Sequence, residues 1–122
     1  MQNNTSNISR SFGVEFEFAG GQSRTTVAQA VIAKGVDCTV EGYNHLTRSH
    51  WKIVTDASLR GRNPGELVSP ILTGEAGITE MKKALDAASD NTRVNSSCGF
   101  HCHVDVRDFS LNELKNLVKL WL

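Results

Sequence analysis

Residues 12–18, FGVEFEF, alternate without a break: Phe12, Val14, Phe16 and Phe18 fall on one side, Gly13, Glu15 and Glu17 on the other. A period of two is that of a pleated strand, so the run predicts a β-strand that buries one face and presents two carboxylates on the other. The pattern returns near the end of the chain, where Phe100, Cys102, Val104 and Val106 alternate with His101, His103, Asp105 and Arg107. Two such strands call for a sheet with one apolar and one polar face, and for helices that cover the apolar one.

Those helices are legible. Ser23 can cap a helix carrying Val27, Ala30, Val31 and Ala33, which Gly35 ends. Residues 75–90 place Ile78, Met81, Ala84, Leu85 and Ala88 at three- and four-residue steps, an amphipathic pattern. Ser110 with Glu113 forms a capping box before Leu111, Leu114, Leu117, Val118 and Trp121, one stripe of a third helix. Residues 38–43 and 51–54 are rich in β-branched and aromatic side chains and read as short strands, and the polar connection 44–50 suits a hairpin between them. Gly61, Asn63, Pro64 and Gly65 mark a loop that leads to a brief strand at residues 66–69, stopped by Pro70. No Gly-rich phosphate loop joins a strand to a helix, which argues against a doubly wound nucleotide fold. The expectation is one α+β domain over residues 11–122, an antiparallel or mixed β-sheet with helices packed on one face, preceded by a loose arm at residues 1–10.

A chain of 122 residues suits one domain. Thirteen Lys and Arg balance thirteen Asp and Glu, so no global field draws it to nucleic acid or an anionic membrane. Cys38, Cys98 and Cys102 are too few and odd in number for the disulfide framework of a secreted domain. With no segment of spanning length, a cytoplasmic setting is expected.

The polar faces carry the chemistry. Glu15 and Glu17 lie about 7 Å apart on one strand face, and their charges repel by roughly 2 kcal/mol at an effective dielectric near 20. Water relieves that cost on a solvated face; a bound cation relieves it on an enclosed one. His101 and His103 repeat the geometry with imidazoles, which bind metals or donate to phosphate oxygens, though such pairs also occur as plain exposed residues. The run CGFHCH holds four borderline or soft ligands, yet on a continuous strand Cys102 points away from His101 and His103. A zinc cage would need a break at Gly99, so zinc is disfavoured. Glu66 follows a loop bearing Asp56, Ser58, Arg60 and Arg62, groups that serve equally as surface charges or as a further metal ligand and an anion clamp. Glu15, Glu17, Glu66 and His101 together form a candidate set for Mg²⁺ or Mn²⁺, since hard oxygens dominate it.

The order of motifs, FGVEFEF, WKIVTDASL, GELVSPIL, a helix, then CGFHCHVDV, resembles the amidoligase family, carboxylate–amine ligases related to glutamine synthetase and glutamate–cysteine ligase. The resemblance covers residues 12–122 and corresponds to the N-terminal half of the family, half of a glutamine synthetase-like catalytic fold; a second half is expected to complete the site. It implies ATP-dependent joining of a carboxylate to an amine through an acyl-phosphate, with Mg²⁺. It further implies metal-binding carboxylates at Glu15, Glu17 and Glu66, and a metal or nucleotide role for His101 with His103. Asp56 and Ser58 would shape the substrate loop, with Arg60 and Arg62 beside them. The apolar stripe of Leu114, Leu117, Val118 and Trp121 is expected to meet a second copy or a protein partner. The alternative keeps the half-fold as a non-catalytic binding or inhibitor protein, for example a phage-encoded anti-defence protein of the anti-CRISPR type acting in the host cytoplasm.

Overall fold

The computed structural model describes residues 9–122, so all of the expected N-terminal arm except Ser9 and Arg10 lies outside the described residues. Strand β1, Ser11–Ala19, is the spine of a six-stranded sheet. Helix α1, Arg24–Ala33, follows, then β2 (Cys38–Val40), β3 (Trp51–Val54), β4 (Pro64–Val68), β5 (Leu72–Thr73), helix α2 (Gly74–Asn91), β6 (Phe100–Val104) and helix α3 (Leu111–Trp121). The fold is α+β on an open mixed sheet, as the alternating patterns predict.

Strand β1 is antiparallel to all three of its neighbours. Phe12 pairs with both Leu72 and Val104, and Phe16 with both Leu67 and Phe100, so β4 and β5 share one edge of β1 while β6 takes the other. Between Val68 and Leu72 the register gains one residue, at the stretch that holds Pro70. Pro70 has no amide hydrogen to give a ladder, and the strand restarts beyond it as β5, an element the sequence pattern left unseen.

The apolar alternates of β1 meet Trp51, Ile53 and Leu67 of the neighbouring strands beneath α1 and α2. Trp51, Phe18, Ile53, Leu67, Val14, Val27 and Val31 are all fully buried, and each large apolar side chain so removed from water contributes about 1.5–3 kcal/mol. The Ser23 hydroxyl accepts from the Thr26 amide to cap α1, and Gly35 reverses the chain after it at a φ of 85°. Within α1 it is Ala28, rather than the expected Ala33, that joins Val27 and Val31 in the core. Trp51 reconciles its indole N–H with full burial by donating to Glu80 Oε1 of α2 at 2.8 Å.

The expected hairpin over 38–54 does not form: β2 and β3 run parallel, Cys38 opposite Trp51. Three residues of strand cover only about 10 Å, so the ten-residue connection is long enough to carry the chain back to the same end without a helix. The third helix forms where expected, with its capping box complete, yet none of its residues is buried. Leu114, Leu117, Val118 and Trp121 all face solvent, as do Phe100 and Val104 of β6. No described helix is long and apolar enough to cross a membrane.

Candidate functional site

Directly paired residues in a ladder share a face, so the registers place the polar side chains without ambiguity. Glu15 lies opposite Val68 on one side and His101 on the other; Glu17 lies opposite Glu66; Gly13 lies opposite His103. The sheet therefore gathers Glu15, Glu17, Glu66, His101 and His103 from three strands onto the face that α1 and α2 leave uncovered.

Within this group Glu15, Glu66 and His101 each offer a ligand atom, all within 4.8 Å of one another. The Glu15 carboxylate is bracketed by imidazoles: its Oε2 is 3.3 Å from His101 Nδ1 and 3.3 Å from His103 Nε2. Glu17 has a different posture. Its Oε2 accepts the Gly99 amide at 2.6 Å, while its other oxygen stays 3.9 Å from His101 Nδ1. One oxygen of Glu17 thus anchors the segment entering β6, and the closest three-residue cluster forms without it.

Burial pushes the Glu66 carboxyl up to about 7, helped by the charges of Glu15, Glu17 and Asp56 and opposed by His101. A carboxylate crowded by like charges in a half-buried place holds its proton unless a cation replaces it. Two hard oxygens and one imidazole fit a divalent ion of the Mg²⁺ or Mn²⁺ kind, with room on the open face for ligand or water oxygens to complete the shell. Cys102 falls on the opposite face, paired with Val14, so it cannot join His101 and His103 in a cage.

The loop residues singled out in the sequence divide. Asp56 accepts from the Ser58 amide at 2.8 Å and its hydroxyl at 2.6 Å, a local turn whose charge reaches Glu66. The Arg60 backbone is tied to the 95–97 loop through Ser97 Oγ and Asn95 Nδ2, but Arg60 and Arg62 are themselves exposed.

Residues 41–50, read from sequence as the end of a strand (41–43) and a plain connection (44–50), form a built loop against the same face, since β2 stops at Val40. Glu41 accepts from Thr39 Oγ1 at 2.7 Å and from Arg48 Nε at 3.0 Å, and lies 3.3 Å from His50 Nε2. The Thr39 hydroxyl, ahead of these partners, draws its carboxyl down to about 2. Lys52, only 3% exposed, directs its ammonium to Asn44 Oδ1 at 2.7 Å and Leu46 O at 2.5 Å, tying the loop to β3. Its register partner is Val68, so it shares the row of Glu15. The signal was there: Lys52 is the one charged residue inside an otherwise apolar strand. Under this loop lies a cavity of about 120 Å³ bordered by Glu15, Glu66, Tyr43 and His45. Beyond Glu15, over Gly13, a second cavity of about 460 Å³ opens beside His103.

A family model described as "Putative amidoligase enzyme" matches residues 9–122. No curated protein and no solved structure matches the chain.

Proposed function

The chain belongs to the amidoligase family, and from that premise we propose that it is a ligase joining a carboxylate to an amine at the expense of ATP, with Mg²⁺ or Mn²⁺ held on the polar sheet face. One observation carries the reading: Glu15, Glu66 and His101 converge to within 4.8 Å from three strands. Convergence of remote residues onto one spot is what a metal-assisted phosphoryl-transfer site requires, because positioning and charge neutralisation supply most of that catalysis.

Each side chain then has a task. Glu15, Glu66 and His101 would hold the ion, which would neutralise phosphate charge when bound. Glu17 fixes the Gly99 amide and with it the start of the His-bearing strand. His103, beside Glu15, is placed to donate to phosphate oxygens. Asp56 and Ser58 set the turn that borders Glu66, and Arg60 and Arg62 offer guanidinium groups to an anionic substrate. In the overall reaction a carboxylate oxygen takes the γ-phosphoryl group of ATP and ADP is released; the amine nitrogen then bonds to the acyl carbon as the C–O bond to phosphate breaks, and the nitrogen gives up a proton to solvent.

A second reading rests on α3, whose apolar stripe is exposed, with no residue of the helix buried. Such a stripe suits self-association or a protein partner, and a non-catalytic binding or inhibitor protein, of which an anti-CRISPR-type phage protein is one example, would use the same surface.

Thermal unfolding separates the two. A ligand that binds only the folded state at a hundred times its dissociation constant stabilises it by about 2.7 kcal/mol. The ligase reading expects MgATP to raise Tm and the Glu15→Ala, Glu66→Ala double variant to lose that rise. An unchanged Tm at millimolar MgATP and MnATP would reject it in favour of the binding protein.

A further inference from the structure

Strand β6 is an edge that nothing in its sequence guards. Among the described residues it pairs with β1 alone, and every residue from Phe100 to Val104 is exposed. Open edges invite further pairing, and native sheets blunt them with Lys, Pro, a bulge or shortness. The sheet's opposite edge, β2, is three residues long. Strand β6 is longer, carries neither Lys nor Pro, and runs along β1 without a bulge.

The direction of its backbone groups decides what can pair there. Asp105 N–H donates to Ser11 O at 2.9 Å, and Gly99 O accepts from Glu17 N–H at 3.1 Å. The alternation of an antiparallel ladder therefore turns the odd-numbered residues of this segment toward β1. Phe100, Cys102 and Val104 aim N–H and C=O at the open edge instead. The segment is also self-complementary: FHCHV reads apolar, His, Cys, His, apolar in either direction.

We propose that β6 is the seam of a two-fold dimer, pairing antiparallel with β6 of a second copy about Cys102. In that register Cys102 lies opposite the partner's Cys102, and Phe100 opposite the partner's Val104. Each is a hydrogen-bonded pair that exchanges both backbone bonds. His101 lies opposite the partner's His103, so apolar side chains meet apolar ones and the polar face continues across the seam. A two-fold contact needs a patch complementary to itself, and this strand supplies one.

The exposed area suits a stable dimer. Phe100, Val104, Leu114, Leu117, Val118 and Trp121 are between 36% and 90% exposed, and together they present roughly 400–500 Å² of apolar surface per copy. An interface of standard size buries about 800 Å² per partner, somewhat over half of it non-polar. Strand and helix stripe, linked by residues 105–110, provide that amount. The proposal is independent of the ligase reading; it rests on the α3 reading for the stripe and names a second copy as what covers it.

Sedimentation velocity from micromolar to submillimolar protein should show a monomer–dimer equilibrium. Cys102→Pro removes the N–H that faces the edge, leaves the bonds to β1 in place, and should weaken association about tenfold or more. Val104→Lys, at a residue 54% exposed, sets a charge against the partner's Phe100 and should act in the same direction if the proline variant folds poorly. In a Cys98→Ser chain Cys102 is the one exposed thiol, since Cys38 is buried. Its Cα would lie about 5.5 Å from that of the partner's Cys102, so a short bismaleimide should convert most of the chain to covalent dimer. Monomer throughout the range, or a dimer that survives both variants or escapes cross-linking, would overturn the seam. A dimer dissociated by Leu117→Glu but kept in Cys102→Pro and Val104→Lys would also overturn it, while leaving the α3 reading intact.

Discussion

Glu17 and Glu66 stand directly opposite each other across the β1–β4 ladder, and the pair is resolved by division of labour. Like charges so placed destabilise a sheet. Glu17 accepts the Gly99 amide hydrogen on one oxygen at 2.6 Å, a bond that ties it to the segment entering β6. Glu66 receives no such donor among the described residues and instead keeps its proton up to about pH 7. One acid becomes a fixed support for β6, and its neighbour a carboxyl held protonated well above the usual carboxylate range.

That retained proton has a pH signature. The Glu66 carboxyl lies above its ordinary value of 4.5 in the fold, so its contribution to stability is fully present below about pH 4.5 and lost as pH rises to about 7. Urea denaturation of metal-free protein should show this decline, about 1–2 kcal/mol after allowing for partial solvent screening. Glu66→Gln should remove the decline and be the more stable protein at pH 8. A steeper decline in the variant would contradict the assignment.

Lys52 is the post to which the 41–50 loop is tied. Lys52→Met keeps the apolar stem but leaves Leu46 O and Asn44 Oδ1 without their donor, and should cost about 1–3 kcal/mol in denaturant unfolding. The loop should also loosen, so that trypsin cuts after exposed Arg48 several times faster than in wild type. An unchanged digestion pattern would mean that Glu41 holds the loop unaided.

Gly65 pairs with Phe18, and an added Cβ would come within 2.7 Å of the ring's Cζ. Phe18 is fully buried and has nowhere to retreat. Gly65→Ala should therefore destabilise by about 1–3 kcal/mol through overpacking, although Gly to Ala in an open strand position stabilises. A Tm equal to or above wild type would show that the ring has room.

The apolar stripe of α3 makes the opposite prediction. Leu117→Glu should leave unfolding within about 0.5 kcal/mol of wild type, since the residue is exposed on a helix with no buried residue. If the stripe carries self-association or a partner, the same variant should abolish the larger species in sedimentation velocity. A large loss of monomer stability would reveal packing of α3 onto the sheet.

Local pattern carried much of this protein. Strict alternation assigned the faces of β1 and β6, because a period of two is a property of one strand and needs no partner. Ser23, Gly35 and the Ser110–Glu113 box marked helix ends through bonds that span three residues or fewer. Those same alternations put Glu15, Glu17, His101 and His103 on polar faces before any fold was known.

Which residues meet was a tertiary decision. Whether β2 and β3 run parallel or antiparallel depends on where α1 and the 41–50 loop deliver the chain, and the composition of the connection is the same for both. Glu15, rather than Glu17, closes with Glu66 and His101 because the β6 register sets His101 beside Glu15 and the Gly99 amide captures Glu17. Lys52 became a buried anchor only when a loop with free carbonyl oxygens folded over it. Spacing along one strand determines which way a side chain points; register between strands, a sum of many distant contacts, determines what it points at.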